Sequence, residues 1–301
     1  MPAEQTPIAR PAADLVARPL LPFAAAGVTV LLWASAFVGI RSAGRDLSAG
    51  PLALARLIVG SLVLGLVVAF RREPRPARRD LLPIAMCGVL WLGAYNVLLN
   101  AGERKVDAGT AAMVVNVGPI LIAVVAGLLL KEGFPRPLLV GAAVSFAGAA
   151  VIGIAIRSDK ATSSSGVVLC LLAAAAYAGG VIIQKPLLAR VSALQVTWLA
   201  CTVGALVCLP YAPRLVHELG DARGGAVGWA VYLGAFPTAI AFTTWAYALA
   251  RTTAGKMGST TYLVPPIAVL LAWILLGESP PGLAFAGGAL CLVGVGVSRR
   301  R

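Results

Sequence analysis

Charged residues are scarce in this sequence. Asp, Glu, Lys and Arg make up 12% of the 301 residues, whereas roughly 25% is usual in soluble globular chains. Hydrophobic residues make up 59%, and the mean hydropathy is +0.89. A soluble domain of this length has too little interior to bury so much apolar surface. The composition therefore excludes an ordinary soluble fold and indicates an integral membrane protein.

Residues that carry enzymatic or metal chemistry are also scarce. The sequence has one histidine and five cysteines, and each cysteine lies within an apolar run, with none in a CxxC pair. This spacing argues against a zinc site and against disulfides. An intramembrane enzyme needs paired acids, a histidine cluster or a nucleophile beside a base, and the apolar runs contain none of these. We therefore predict a protein that is not an enzyme and carries no cofactor or metal.

The basic residues predict the orientation of the chain. The formal net charge is +13, but the 25 Lys and Arg residues fall almost wholly between apolar runs, where they would face lipid headgroups and not nucleic acid. With a cytoplasmic N-terminus, sixteen of them lie on the cytoplasmic side, eight lie outside, and Arg56 lies within a span. Because cytoplasmic loops carry the basic excess, we predict a multi-pass protein of the cytoplasmic membrane with both termini inside.

Apolar runs near the length that crosses a bilayer, about 20 residues, recur along the whole chain. They predict an all-α protein with ten transmembrane helices, at 21–41, 51–70, 81–101, 108–130, 137–156, 166–185, 193–211, 226–249, 257–276 and 282–298.

The two halves of the chain repeat. At a shift of 146 residues, glycines, prolines and glutamates coincide: Gly88 with Gly234, Pro119 with Pro265, Glu132 with Glu278 and Gly148 with Gly294. Each repeat has five spans, and an odd number forces the second copy to enter the membrane from the opposite side. Inverted repeats are typical of secondary transporters, which alternate access to a site near the midplane.

The predicted organisation follows from these repeats. It comprises a cytoplasmic segment (1–20), a first five-helix repeat (21–157), a linker (158–165), a second five-helix repeat (166–298) and a basic C-terminus (299–301).

A run of residues in each half carries a family resemblance. Residues 95–104 read YNVLLNAGER and are followed by Ala108-Gly109, Asn116-Val117-Gly118-Pro119 and Lys131-Glu132; the second copy runs from Ala254-Gly255 through Pro265 to Gly277-Glu278. This arrangement resembles the EamA-type repeat of the drug/metabolite transporter superfamily, over roughly residues 21–298. The resemblance implies a ten-helix transporter of the cytoplasmic membrane, often an exporter of amino acids or other small metabolites, with a central cavity.

The missing acids narrow the substrate class. Small multidrug exporters, which this superfamily resembles in its repeat, exchange protons for cationic drugs at a mid-membrane glutamate, and no Asp or Glu lies in the middle of any span here. We therefore expect a small polar or zwitterionic, amino-acid-like substrate, with export favoured over uptake. A multidrug exporter and a non-transporting scaffold are the alternatives. Proton coupling and a homodimer both stay open.

Arg56 is the first candidate for substrate binding. It lies about five residues into the second predicted span, where an ionisable group costs roughly 3 kcal/mol on insertion scales. Two roles are open for it. One is an interhelical hydrogen bond or headgroup contact, and the other is binding of a substrate carboxylate, for which a guanidinium is well suited.

Neutral polar and aromatic residues supply further cavity candidates, with interhelical hydrogen bonding or simple packing as the alternative. They are Trp33, Tyr95, Asn96, Asn100, Asn116, Tyr177 and Tyr262. Asn116 and Tyr262 each precede a mid-span proline, Pro119 or Pro265, by three residues. Such a proline frees a carbonyl and kinks its helix, which a midplane site can use. Trp91, Trp245 and Tyr247 are either interfacial residues or cavity walls.

Two further pairs of equivalent residues carry predictions. Glu132 and Glu278 end equivalent spans on opposite faces of the membrane, so they are either solvated helix ends, with a partner such as Arg136, or gate residues. Glycines spaced by seven residues in the fifth and tenth spans, at 141 and 148 and at 287 and 294, let helix backbones approach closely. We expect these two spans to be packing helices, away from the cavity.

Overall fold

The computed structural model describes residues 20–103, 105–106, 114–155, 163–277 and 280–300, and all regular structure in this part of the chain is helical. In chain order the apolar helices are α1 (Leu21–Ala43), α2 (Ala49–Arg71), α3 (Arg78–Gly102), α4 (Gly118–Leu129), α5 (Arg136–Ala155), α6 (Ser164–Leu187), α7 (Ala193–Asp221), α8 (Gly224–Leu249), α9 (Ala254–Leu275) and α10 (Gly282–Ser298). Eight are long and apolar enough to cross a membrane, whereas α4 and α10 are shorter.

The all-helical prediction is confirmed, and most helix ends lie within three residues of the predicted ones. The end predicted at residue 211 is wrong, because α7 continues to Asp221. A 3-10 turn over Leu209–Tyr211 joins its two α-helical parts, and Pro213 lies in the first turn of the second part, where its missing N–H costs nothing.

Some predicted features lie outside the described residues. They are Glu278, the Ala108-Gly109 pair, Arg301 and most of the segments 1–20 and 158–165.

Helices α5 and α10 pack in direct backbone contact. A Cβ atom on Gly148 would lie 2.6 Å from the carbonyl oxygen of Gly287, and one on Gly294 would lie 2.6 Å from that of Gly141. The two helices run antiparallel, since the earlier glycine of each contacts the later glycine of the other. The prediction that glycines let the backbones of these helices approach closely is confirmed, and the partner of each helix is the other one.

Two helices are interrupted by π-helical turns at equivalent positions. The turn in α3 spans Gly88–Ala94 and that in α8 spans Gly234–Ile240, a shift of 146 residues. At the first residue of each turn a Cβ would meet the backbone of another helix, at the carbonyl oxygens of Ala200 and Arg56 respectively. The same close contact is thus made twice, which places Arg56 of α2 and Ala200 of α7 in corresponding positions.

Polar contacts gather at the two ends of the helix bundle. At one end, here called the Glu132 end, Arg190 forms an ion pair with Asp80 at 2.7 Å. At the opposite end, the Asp46 end, Arg223 forms an ion pair with Asp46 at 3.1 Å. Each pair joins the first half of the chain to the second.

Candidate functional site

Arg56 lies on α2 with 9% of its surface exposed. Its Nε atom donates a hydrogen bond of 3.0 Å to the Thr238 hydroxyl in the π turn of α8. Thr238 in turn donates to the carbonyl oxygen of Leu233 at 2.8 Å. An interhelical hydrogen bond was one of the two roles that the sequence left open for Arg56, and the structure contains this bond.

The terminal nitrogens of Arg56 remain accessible. Within the described part of the chain, Nη1 and Nη2 make no hydrogen bond, and no carboxylate lies within ion-pair distance of the guanidinium. Neither nitrogen belongs to the buried side-chain atoms that lack a partner, so both keep solvent-accessible surface. A largely desolvated cation with a free face of N–H groups is suited to bind a small carboxylate.

An aromatic cluster lies beside this arginine. It consists of Trp33 on α1, Trp91 and Tyr95 on α3, Tyr177 on α6, and Phe242 and Trp245 on α8. The ring centroids of contacting pairs lie between 4.9 Å (Trp91 and Phe242) and 6.4 Å (Tyr177 and Trp245). Trp91 and Trp245 are buried. The interfacial alternative is therefore excluded for these two tryptophans. Four separate helices contribute to one aromatic cluster.

Helix α8 links the arginine to the cluster. Thr238, Phe242 and Trp245 are spaced at i, i+4 and i+7 and therefore share one face. With a rise of 1.5 Å per residue, the Phe242 backbone lies about 6 Å beyond that of Thr238. Tyr95 lies within electrostatic range of Arg56, and its ring lies 5.9 Å from that of Tyr177. The residue that holds Arg56 thus lies about one helical turn from the aromatic cluster along α8.

Two indole N–H groups of the cluster lack acceptors. The Nε1 atoms of Trp33 and Trp245 are buried and make no hydrogen bond. A buried donor without a partner costs roughly 1–3 kcal/mol, and such groups are rare in folded proteins. In the described part of the chain, both atoms thus lack an acceptor and have almost no accessible surface.

Two of the three predicted asparagines, Asn96 and Asn100, make hydrogen bonds to backbone carbonyls. The Nδ2 atom of Asn96 donates to the carbonyl oxygen of Leu92 in the π turn of its own helix, at 2.8 Å. The Nδ2 atom of Asn100 donates to the carbonyl oxygen of Ala49 at the start of α2, at 3.0 Å. Both side chains thus support backbone at places where regular helical bonding is interrupted or begins.

Asn116 and Tyr262 contact each other. The hydroxyl of Tyr262, which is fully buried, donates to the carbonyl oxygen of Asn116 at 2.9 Å. Pro119 follows at the second residue of α4, and Pro265 follows a 3-10 turn over Thr261–Leu263. The backbone therefore departs from α-helical geometry just before both prolines.

Glu132 binds the start of α9. Its carboxylate accepts hydrogen bonds from the backbone N–H groups of Ala254 (2.8 Å) and Gly255 (3.2 Å). These are among the first N–H groups of the helix, which have no partner within it, and the positive end of the helix dipole favours an anion there. The suggested pairing with Arg136 is wrong, because in the described chain the partners of Glu132 are these backbone groups.

Lys185 holds the end of the preceding helix. Its Nζ atom donates to the carbonyl oxygens of Leu249 (2.7 Å) and Thr252 (2.6 Å), where a cation complements the helix dipole. Lys185 and Glu132 thus hold the turn between α8 and α9 from both sides. We refer to this arrangement as the hairpin clamp.

Sequence reasoning missed the two ion pairs that join the halves. Asp80 is buried and receives both Nε and Nη2 of Arg190, at 2.9 and 2.7 Å. At the other end, hydrogen bonds and the charge of Asp46 raise the pKa of the exposed Arg223 guanidinium. The sequence signal for the first pair was Asp80, a single acid beside two arginines at the start of α3. This signal does not indicate which distant residue is its partner.

Comparison with known proteins finds the same family in both halves of the chain. The model of the EamA-like transporter family matches residues 22–154 and again residues 164–300. A relative described as a probable terminal-alkyne amino-acid exporter, from Streptantibioticus cattleyicolor, is 41% identical over 91% of this chain and 92% of its own length. An uncharacterized transporter of Bacillus subtilis is 31% identical over 88% of this chain and 86% of its own.

A solved crystal structure has the same fold. It superposes with a TM-score of 0.77 at 20% identity, over 92% of this chain and 96% of its own. The two family matches together cover most of the sequence, and the long apolar helices fit a multi-pass membrane protein. This chain belongs to the EamA-like transporter family.

Proposed function

We propose that this transporter exports a small amino-acid-like zwitterion across the cytoplasmic membrane. In this proposal all ten apolar helices span the bilayer as two inverted five-helix repeats, with both termini and the Glu132 end in the cytoplasm. The halves alternate access to a site near the midplane, as inverted repeats do in other secondary transporters. The amino-acid exporter among its relatives supports this substrate class.

The observation that carries the proposal is the open guanidinium of Arg56 beside the aromatic cluster. The substrate carboxylate binds Nη1 and Nη2, which have no partner in the described chain. A bidentate guanidinium–carboxylate pair is among the strongest contacts available to a small anion. The desolvation cost of burying Arg56 is then offset when the substrate is bound.

The rest of the substrate contacts the aromatic cluster. The described chain has no Asp or Glu in the middle of an apolar span, so we assign the substrate ammonium to an aromatic ring face. The substrate side chain packs on the remaining rings, and the free indole N–H groups of Trp33 and Trp245 donate to it. The cluster therefore favours apolar side chains that carry a π system or a weak acceptor.

The hairpin clamp serves as the gate at the cytoplasmic end. Glu132 comes from the first half of the chain, whereas Ala254 and Gly255 begin α9 in the second half. Separation of the halves at this end must break these bonds, as well as the ion pair between Asp80 and Arg190. In the structure described, both contacts are formed and this end is held together.

The test is counterflow of labelled L-propargylglycine, a terminal-alkyne amino acid, into proteoliposomes that contain the full-length protein. We expect saturable transport, with Arg56→Gln lowering kcat/KM at least about tenfold, since a charged hydrogen-bonded partner is worth roughly 1.5–3 kcal/mol. Arg251→Gln, which changes an exposed arginine stacked on Tyr247, is the matched control and should retain transport. But-3-yn-1-amine, which lacks the carboxylate, should compete poorly.

Other outcomes identify the alternatives. Transport of ethidium without any transport of amino acids would favour the multidrug exporter and contradict this proposal. Normal transport by Arg56→Gln would remove Arg56 from the carboxylate site. Verified reconstitution with no transport of L-propargylglycine, L-phenylalanine or L-norvaline would reject export of amino-acid-like substrates.

A further inference from the structure

We propose that Thr238 is the positioning residue of the carboxylate site, which turns the Arg56 guanidinium so that its Nη1–Nη2 edge receives the substrate. This inference rests on the proposed function and adds a residue to it. Thr238 does not touch the substrate itself, and it acts through the hydrogen bond of 3.0 Å that its hydroxyl accepts from Arg56 Nε.

The hydrogen-bond polarity at Thr238 is fixed. A hydroxyl has one proton to donate, and that of Thr238 is directed to the carbonyl oxygen of Leu233 at 2.8 Å. Its oxygen is then left as an acceptor, and a guanidinium can only donate. Thr238 is also buried, with 1% of its surface exposed, so that water does not compete for this bond. The Nε atom of Arg56 is therefore held in one direction.

The π turn of α8 makes this arrangement available. Threonines in the regular helices of this protein donate to the carbonyl four residues earlier, as Thr202 does to Trp198 and Thr243 does to Ala239. Thr238 reaches back five residues to Leu233. The wider turn moves the hydroxyl away from its usual place against the helix, to a position from which it meets α2.

The pair of Arg56 and Thr238 has no counterpart at the equivalent contact between the repeats. The corresponding π turn of α3 has Leu92 in the position of Thr238, and Ala200 corresponds to Arg56. The first turn thus forms without a hydroxyl, so Thr238 is not required to build a π turn. A residue that the repeated architecture does not need, but that binds the buried Arg56, is best explained by the site.

Fixing Nε has a geometric consequence for binding. A guanidinium offers carboxylates two edges, one that includes Nε and one formed by Nη1 and Nη2. The bond to Thr238 occupies the first edge. The substrate carboxylate then meets the second edge end-on, and the pre-oriented cation loses less conformational entropy on binding. Because Arg56 and Thr238 belong to different halves of the chain, this bond also ties the occupied site to the relative position of the halves.

The experiment separates KM from kcat for L-propargylglycine in the proteoliposome assay. Thr238→Val, which keeps the shape and removes the hydroxyl, is expected to raise KM about tenfold with little change in kcat, the size of one lost charge-assisted hydrogen bond. Thr238→Ser restores the hydroxyl and should return KM to within about twofold of the wild type. Thr243→Val, one turn away on α8, is the control and should leave KM unchanged.

A double variant excludes a merely structural effect. In the Arg56→Lys background, which has no Nε donor of the same geometry, Thr238→Val should raise KM no further. If Thr238→Val fails to reach the membrane, Thr238→Ala removes the same hydroxyl and carries the same expectations.

Three results would overturn the inference: an unchanged KM in both hydroxyl-free variants, a Thr238→Ser variant as defective as Thr238→Val, or equal effects of Thr238→Val with and without Arg56. Each leaves the proposed function intact if Arg56→Gln still impairs transport. Failure of the wild type to transport the amino acid rejects the proposed function instead.

Discussion

Tyr262 donates a hydrogen bond of 2.9 Å to the carbonyl oxygen of Asn116, the residue that occupies the same position in the other repeat. Ser145 and Cys291, also 146 residues apart, contact each other as well, since each side chain donates to the carbonyl oxygen of the other, at 3.4 and 3.5 Å. Two pairs of equivalent residues are therefore in direct contact across the repeats.

The first prediction concerns the Tyr262 hydroxyl. Tyr262→Phe removes the donor to Asn116 while the ring stays in place, so we expect a loss of about 1–3 kcal/mol in the free energy of unfolding. Thermal unfolding in detergent measures this loss, with Tyr247→Phe, a half-exposed tyrosine on α8, as the control. Equal melting temperatures for both variants would show that the hydrogen bond from Tyr262 to Asn116 contributes no stability.

The second prediction concerns the contact between α5 and α10. Gly148→Ala places a methyl group 2.6 Å from the Gly287 carbonyl oxygen, and the helices must separate to admit it. We expect a loss of at least about 1–3 kcal/mol, with poor yield of monodisperse protein on size-exclusion chromatography, and a larger loss for Gly148→Leu combined with Gly294→Leu. Gly296→Ala, at a position of α10 with no atom within 4 Å, should behave as the wild type. A stable double leucine variant with altered selectivity would contradict the assignment of these helices to packing.

The third prediction tests the hairpin clamp as a gate. Glu132→Ala removes both acceptors at the start of α9, so that the Glu132 end should open more often. We expect several-fold faster labelling of Cys87 by a membrane-permeant maleimide, because this cysteine is fully buried in the part of α3 nearest that end. Glu218→Ala, which removes the acceptor for Ser48 N–H at the opposite end, is the control. Equal labelling rates in the two variants would reject the gate.

The fourth prediction concerns the ion pair between Asp80 and Arg190. Arg190→Gln leaves the buried Asp80 carboxylate without its cation, whereas Arg190 itself is 43% exposed, so solvent limits the loss to about 1–3 kcal/mol. Arg214→Gln breaks the more exposed pair with Glu218 and should cost less than about 1 kcal/mol. Thermal unfolding of the two variants compares them directly, and the Asp80→Asn and Arg190→Gln double variant should regain part of the loss. A larger loss for Arg214→Gln would contradict the structural ranking.

Helix positions and close packing were predictable because both follow from local composition. A membrane span needs about 20 apolar residues, and apolar runs of about this length are easily recognised in the sequence. The glycine pairs of α5 and α10 were predictable because their spacing repeats in both halves. The continuation of α7 to Asp221 was not, because the two prolines that suggested an end fit a 3-10 turn and a helix start.

The partners of individual side chains were less predictable. Glu132 was expected near Arg136 because that residue is close in sequence, but it binds N–H groups that lie 122 and 123 residues away. Nothing in the apolar patterns of α3 and α8 indicates a π turn, so the meeting of Arg56 and Thr238 was not foreseeable. Trp91 and Trp245 were ambiguous because depth along a span does not reveal which way a side chain faces.

The unequal pair of Arg56 and Ala200 has a consequence for how such proteins diversify. The two repeats make the same close contact twice, between Gly234 and the Arg56 backbone and between Gly88 and the Ala200 backbone. A single substitution at one of the two positions is then enough to introduce a charge, while the backbone contact is kept in both repeats. New ligand preferences can therefore evolve at one of two equivalent positions without a change in the helix packing that transport requires.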